Sequence, residues 1–296
     1  NKIMSTRIVV PKMYKLYIGG KFARTESERY TSIKDAKTGK KICNISRASR
    51  KEVKKAVVAA RSGYNTWSAK TGYERGQILY RLAEMLEGRK DQIAHEITLT
   101  TTNSKAQASK EVMKAIDRII WYAGLADKYG QLIGTVNDVQ NGYFNFSIAE
   151  PTGVVGILLP EEQPFLALVS RLCAVITSGN SCIIIASEKS PLPALTFSEI
   201  AATSDIPGGV INILTGSKKE LIPHLASHMD VNAFDYAESN TAFKKEVMTA
   251  CANNVKRFIY SALKDKNDYY NDDKNENIMQ VQNFTELKTV WHTMGL

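Results

Sequence analysis

The stretch that decides the fold is Glu150–Pro164, EPTGVVGILLPEEQP. Its centre, Gly153–Leu159, is a β-rich apolar run too short to be a buried helix, and it ends in a turn at Pro160–Pro164. An apolar segment of helical length, Phe165–Thr177, follows, and the alternation then repeats downstream. Ser181–Ile185, Val210–Leu214, Val231–Tyr236 and Arg257–Tyr260 read as strands. Pro193–Thr203, Lys218–His228 and Asn240–Asn253 read as the helices between them. Short, continuously apolar strands separated by helices predict a parallel sheet covered on both faces. The fold class is therefore α/β, with a five-stranded doubly wound parallel sheet. Ligands of such sheets lie beyond the carboxyl ends of the strands, so the residues at those ends carry the functional question.

Upstream, Lys15–Gly20 with Lys21-Phe22 predicts one hairpin, and Thr31–Asp35 with Lys41–Ile45 a second. Ser49 and Glu52 form a capping box opening a helix with Val53, Ala56, Val57 and Ala60 on one face. Further helices are predicted over Tyr73–Glu87, Asp91–Leu99 and a long Ser104–Leu132. Tyr143–Ile148 alternates aromatic and polar residues and predicts a ribbon strand outside the main sheet. Downstream, Leu263–Asn277 has no apolar period and reads as a solvated linker. Phe284–Trp291 returns to strand composition.

With 296 residues and 44% apolar content, the chain can bury a full core. It has no apolar run long enough for a membrane span and no signal-peptide pattern. It starts at Asn1, as a fragment or processed product would. Cys43, Cys173, Cys182 and Cys251 lack metal-ligand spacing; Cys173, Cys182 and Cys251 read as structural thiols, and their pattern implies a reducing, cytoplasmic setting. The formal charge of +9 is spread along the chain and interleaved with acids. With no basic-aromatic module it argues against nucleic acid and suits an acidic protein partner.

The order of elements and the residues themselves resemble the aldehyde dehydrogenase superfamily. YIGGKF, the DAKTGK turn, SRKEVKKAVVAAR, the Trp67 stretch, YERGQILYRLAEMLEGR and RIIWYAGLADKYGQ look like its N-terminal region. EPTGVVGILLP, SGNSCIIIASEKSPLPA and DIPGGVINILTG look like its nucleotide domain, and FTELKTVWHTMG like its closing strand, which in the family pairs with a neighbouring subunit. The resemblance covers about Lys15–Tyr260 and implies five parts: residues 1–136 with the N-terminal hairpins and helices, 137–150 an oligomerisation ribbon, 151–262 a Rossmann-like core, 263–283 a linker in place of the catalytic domain, and 284–296 the C-terminal oligomerisation strand.

The family's catalytic domain, with its nucleophilic cysteine in a Gly-Gln-x-Cys context, would fall between Tyr260 and Phe284, where only residues 261–283 lie. No such motif occurs. The strand-end positions also depart from the family. Pro160-Glu161-Glu162-Gln163-Pro164 replaces Pro-Trp-Asn-Phe-Pro, so Glu162 stands where an amide would hold an oxyanion. Ile185-Ala186-Ser187-Glu188 replaces Lys-Pro-Ser-Glu, which contacts the adenosine ribose: the lysine is lost and Glu188 kept. Glu238-Ser239-Asn240 replaces the Gly-Ser-Thr that faces the pyrophosphate, and a carboxylate there would answer the helix dipole itself. Ser261-Ala262-Leu263-Lys264 replaces the Glu-Leu-Gly-Gly that carries the general base. Each carboxylate added beside a phosphate would cost on the order of 1–3 kcal/mol in a partly screened site.

The resemblance thus implies a non-catalytic member, similar to the nucleophile-less second module of two-module aldehyde dehydrogenases and to their bacterial partner subunits. It implies no cofactor in this chain; Glu162, Ile185, Glu188, Glu238, Ser239 and Ser261 are vestigial cofactor positions. NAD or NADP would be bound by the partner, a catalytic subunit or upstream module, in a hetero-oligomer. Tyr143, Phe144, Phe146, Leu287, Thr289 and Trp291 are the expected interface, on two strands without a sheet of their own. Two alternatives stay open: an oxidoreductase subunit with a rearranged dinucleotide site, in which Glu161 and Glu162 act as paired carboxylates rather than an exposed turn, and a purely structural assembly subunit. His224 and His228, spaced i, i+4, lack a third ligand, and no metal is expected.

Overall fold

The computed structural model describes residues 10–140 and 142–294; the start at Asn1 lies outside them. The chain opens with β1 (Met13–Tyr14), β2 (Leu16–Ile18), β3 (Lys21–Ala23), β4 (Tyr30–Lys34) and β5 (Lys41–Ser46). β2 with β3 and β4 with β5 are the two predicted hairpins. Helices α1 (Arg50–Ser68), α2 (Gly72–Glu87), α3 (Lys90–Thr100) and α4 (Lys105–Leu125) follow. Capping boxes satisfy the first N–H groups of α1, α2 and α4, through Ser49–Glu52, Thr71–Glu74 and Ser104–Gln107. The helix expected to run to Leu132 stops at Leu125, and a short α5 (Tyr129–Ile133) takes its place. The break turns Tyr129 inward, where its hydroxyl donates to Ser178 O and accepts from Arg75.

After β6 (Thr135–Asn137) and β7 (Tyr143–Pro151) comes the alternating unit: β8 (Val154–Leu158), α6 (Pro164–Ile176), β9 (Ser181–Ile185), α7 (Leu192–Ala201), β10 (Ile211–Leu214), α8 (Lys218–Ala226), β11 (Ala233–Tyr236), α9 (Lys244–Asn253) and β12 (Arg257–Tyr260). The five strands are parallel, in the order β12-β11-β8-β9-β10. The sheet is wider than the expected five strands. β2 adds antiparallel to β10 and brings β3 with it, so seven strands are joined. An antiparallel hairpin needs no crossover helix, which is why the alternating pattern does not reveal it.

Alternate strand residues fill opposite faces. Val155, Ile157 and Ile184 pack towards α6 and α7, while Val154, Leu158, Ile183 and Ile185 pack towards α1, α8 and α9. All seven are fully buried, and each such side chain contributes about 1.5–3 kcal/mol. Helix α1 sits against the turn into β10: a Cβ on Gly63 would stand 2.4 Å from Gly209 C, so only glycine allows the approach.

Two expectations about the C-terminal part are corrected. Residues 263–283 form a packed layer rather than a solvated linker: a 3₁₀ turn Lys266–Tyr270, then α10 (Asp272–Asn275) and α11 (Ile278–Gln282), with Tyr269, Asn275 and Val281 buried. The layer lacks an apolar period because polar anchors hold it. Fully buried Arg118 bonds Glu276, Asp272, Tyr269 O and Ser170, and Tyr122 donates to Asn275 O. The last strand, β13 (Thr285–Thr293), then pairs antiparallel with β7, from Thr285 opposite Pro151 to Thr293 opposite Tyr143. The ribbon and the closing strand therefore share a three-stranded sheet, β13-β7-β6, within one chain. No described helix is long and apolar enough to cross a membrane.

Candidate functional site

In the parallel sheet β9 and β10 lie to one side of β8, and β11 and β12 to the other. The winding direction reverses at β8, so the crevice for a ligand opens beyond the carboxyl ends of β8 and β11. Glu188 and Glu238 meet there with Glu161, around a residue that the sequence pattern does not single out, and Glu162 and Ser239 lie beside them. Lys218, the first residue of α8, turns its side chain into the crevice and is 5% exposed. Its ammonium donates to Leu159 O at 2.7 Å and contacts Glu161 Oε1 at 2.5 Å and Glu238 Oε2 at 2.5 Å. An ammonium has three donors, and all three are used.

Glu161 is consequently not the exposed turn residue expected of it. Besides Lys218 it accepts from Ser187 Oγ at 2.6 Å and from the backbone N–H groups of Glu188 and Lys189 at 3.2 and 3.0 Å. Burial opposes its charge, but the charge of Lys218 and these hydrogen bonds outweigh it, and the carboxyl is held below the ordinary range. Glu238, 4% exposed, also accepts from Asn240 N at 3.1 Å. Glu238 is expected to set a negative charge near any phosphate; its carboxylate is paired with Lys218, an ammonium that it shares with Glu161. Glu188 accepts from Lys218 N at 2.5 Å and caps α8, whose N-cap Ser217 makes no side-chain bond. Glu162 is exposed and accepts a long bond, 3.5 Å, from exposed Ser239.

The other two positions lie elsewhere. Ile185 is buried in β9 between Leu158 and Leu214. Ser261 donates to Asp235, which is paired at 2.7 Å with buried Arg171. Arg171 reaches Gln280 in turn, so this pair ties the sheet to the C-terminal layer.

On either side of the lysine cluster the crevice keeps open volume. One cavity, about 300 Å³, is bordered by Arg47, Ser187, Glu188 and Ser217; the other, about 360 Å³, by Pro160, Glu162, Ser239, Lys264 and Tyr269. No thiol serves either. All four cysteines are buried, and burial raises every thiol pKa, to about 11 for Cys43 and about 12 for Cys173. Such thiols are not thiolates at neutral pH. His228 lies beyond the end of α8, where its Nδ1 accepts from Asp230 N, so it does not share a helix face with His224 as expected.

The expected interface residues divide between the two faces of the small sheet. The register places Phe144, Phe146, Ile148 and Val290 with Val136 on one face; Val136, Phe144 and Ile148 are exposed. The other face carries a polar chain, Asn137 to Asn145 and Ser147, then Ser147 to Thr289, with Tyr143 packed edge-on against Trp291 and Leu287 beyond. Trp291 is 63% exposed.

A doubly wound parallel sheet with helices on both faces and its crevice at the β8–β11 switch defines a protein built on a nucleotide-binding type of architecture. The Aldehyde dehydrogenase family profile matches residues 22–262, and the chain belongs to that family. Cytosolic 10-formyltetrahydrofolate dehydrogenase of Mus musculus is 32% identical over 256 residues, 85% of this chain and 28% of that protein. Putative aldehyde dehydrogenase DhaS of Bacillus subtilis is 30% identical and covered to 49%. Among solved structures, a putative aldehyde dehydrogenase from Burkholderia cenocepacia superposes with a TM-score of 0.79 at 28% identity, over 83% of this chain and 50% of that one. The chain thus spans a quarter to a half of the length of the relatives it matches.

Proposed function

We propose that this chain is a non-catalytic member of the aldehyde dehydrogenase family that associates with a catalytically active, NAD(P)-dependent member and scaffolds or regulates its oxidation of an aldehyde to an acid. The observation that carries the reading is the packed passage from β12 to β13. Residues 261–284 close over the core on buried anchors, and none of them is a cysteine. Thioester chemistry needs a thiolate beside a base and an oxyanion hole. The four buried thiols, and a carboxylate at Glu162 where an amide would be needed, support the absence of that chemistry.

Association is supported by the small sheet. β13 and β6 are its outer strands, each with an edge unpaired among the described residues, and such edges accept further strands. Val136, Phe144 and Ile148 offer an apolar face beside the β6 edge. The self-pairing of β13 with β7 moves the expected contact from two separate strands to the rim and face of one sheet. The test is the native mass of the protein purified from its source, with subunits identified by mass spectrometry. A complex containing a catalytic aldehyde dehydrogenase, lost in a Phe144→Ser/Trp291→Ser variant of unchanged Tm, is the expected result. A monomer at micromolar concentration with no dehydrogenase bound refutes the reading.

A further inference from the structure

The crevice of a doubly wound sheet is the place for a dinucleotide, and the family makes that ligand the first expectation. The residues present do not fit it. Three features coincide at the switch point, each from a different element. The Lys218 ammonium sits across the ends of β8 and β11, bonded to Leu159 O, Glu161 and Glu238. The N-terminus of α8, where an anion would be welcomed, is already capped by Glu188. The backbone N–H groups of Glu188 and Lys189, in the segment that resembles the family's ribose-contacting loop, are taken by Glu161.

We propose that Lys218 is an internal ligand: its side chain occupies the crevice in place of a dinucleotide and locks the three strand-end loops to one another. The geometry gives the reason. A dinucleotide would have to run from the Glu188 loop to the turn at Glu238–Asn240, and the Lys218 cluster lies across that path, splitting the crevice into the two cavities described above. The cluster holds two carboxylates against one ammonium and so carries net negative charge itself; of the cations bordering the two cavities, Arg47 is paired with Glu220 and Lys264 is exposed. Displacing Lys218 would break all three bonds of its ammonium at once. It would leave Glu161 and Glu238 without a counter-charge, held only by Ser187 Oγ and the backbone N–H groups of Glu188, Lys189 and Asn240, a cost that rises with burial.

This inference deepens the reading of the chain as non-catalytic but does not depend on its association, which the native mass tests separately. The experiment is titration of NADH, followed by its fluorescence, into the wild-type protein and into Lys218→Gly/Glu238→Gln, which clears the crevice and leaves Glu161 the one carboxylate of the cluster. Wild type is expected to show no saturation up to 1 mM NADH, and the double variant to bind at least tenfold more tightly. Saturable binding by wild type overturns the proposal, and so does a folded variant that binds no better. Reductive methylation of native wild type supplies a second readout, one that does not rely on the variant folding. Lys218 is expected to stay unmodified while exposed lysines such as Lys51 and Lys288 react within minutes. Modification of Lys218 at their rate would mean the lock is not formed.

Discussion

Glu111 offers the sharpest test of the packing that places the crevice. It lies on the buried face of α4, fully enclosed, and its Oε1 accepts from Phe165 N and Leu166 N at 3.0 and 3.1 Å. It thereby caps α6, the helix leaving the Pro160–Pro164 turn, whose own N-cap Gln163 makes no capping bond and instead accepts from Tyr270. Its second oxygen, Oε2, has no partner. Burial pushes its pKa up to about 7, the two N–H bonds offsetting only part of that. A folded-state pKa raised from 4.5 means that the native protein binds a proton the unfolded chain has released. The stability tied to that proton is complete below pH 4.5 and lost by the time pH has risen through 7. The stability at stake is on the order of a few kcal/mol. Glu111→Gln keeps an oxygen for the two N–H groups and removes the charge. The difference in unfolding free energy, variant minus wild type, is expected to rise by about 1 kcal/mol per pH unit between pH 5 and 7 and to level off above about pH 8. Urea denaturation at half-unit pH intervals measures it, and the other titrating groups cancel in the difference. A flat profile, or one falling with pH, would refute the reasoning.

Removing the anchor of the C-terminal layer should expose it: Arg118→Ala leaves Glu276 and Asp272 to Lys114 alone and Tyr269 O with only a long bond from Asn275, and is expected to cost about 3 kcal/mol and to open residues 263–284 to limited proteolysis. A Tm within the scatter of surface substitutions would contradict it. Gly63→Ala should destabilise strongly, since its Cβ meets backbone at 2.4 Å, while Gly124→Ala, with open space, should not. The four thiols should resist a colorimetric disulfide reagent at pH 8 until denaturant is added; rapid release of even one equivalent would disprove their burial.

The parallel unit is legible in the sequence because each strand is buried on both faces and so is apolar without interruption, as Val154–Leu158 and Ser181–Ile185 are. The hairpin that widens the sheet is not, because Leu16, Tyr17 and Ile18 do not record whether they pair with β10. The C-terminal layer is hidden for a similar reason. Its order comes from Arg118 and Arg171, charged residues on helices far upstream, and from only a few apolar side chains of its own. A signal does exist: Glu111 and Arg118 interrupt the apolar stripe of α4 on the same face as Ala115 and Tyr122. Charges that helical spacing turns inward must find partners, and the acid-rich segment 263–277 is the place to look for those of Arg118.

The same argument explains the strand ends. Taken one position at a time, Glu161, Glu162, Glu188 and Glu238 are four added or retained carboxylates, which predicts a negative, unliganded crevice. Two carboxylates brought close together in a protein interior need a shared proton or a cation, so the acids themselves point to a lysine or arginine as one solution. Position 185 holds isoleucine, which removes one source. The chain supplies the charge from the opposite side, at the first residue of α8, where Lys218-Lys219 reads in sequence as an ordinary exposed helix start. Helical geometry alone cannot tell which of the two lysines turns inward. Only the placement of α8 beside β8 and β11 separates buried Lys218 from exposed Lys219, and the demand for that charge becomes visible once the acids are counted as a cluster rather than as separate substitutions.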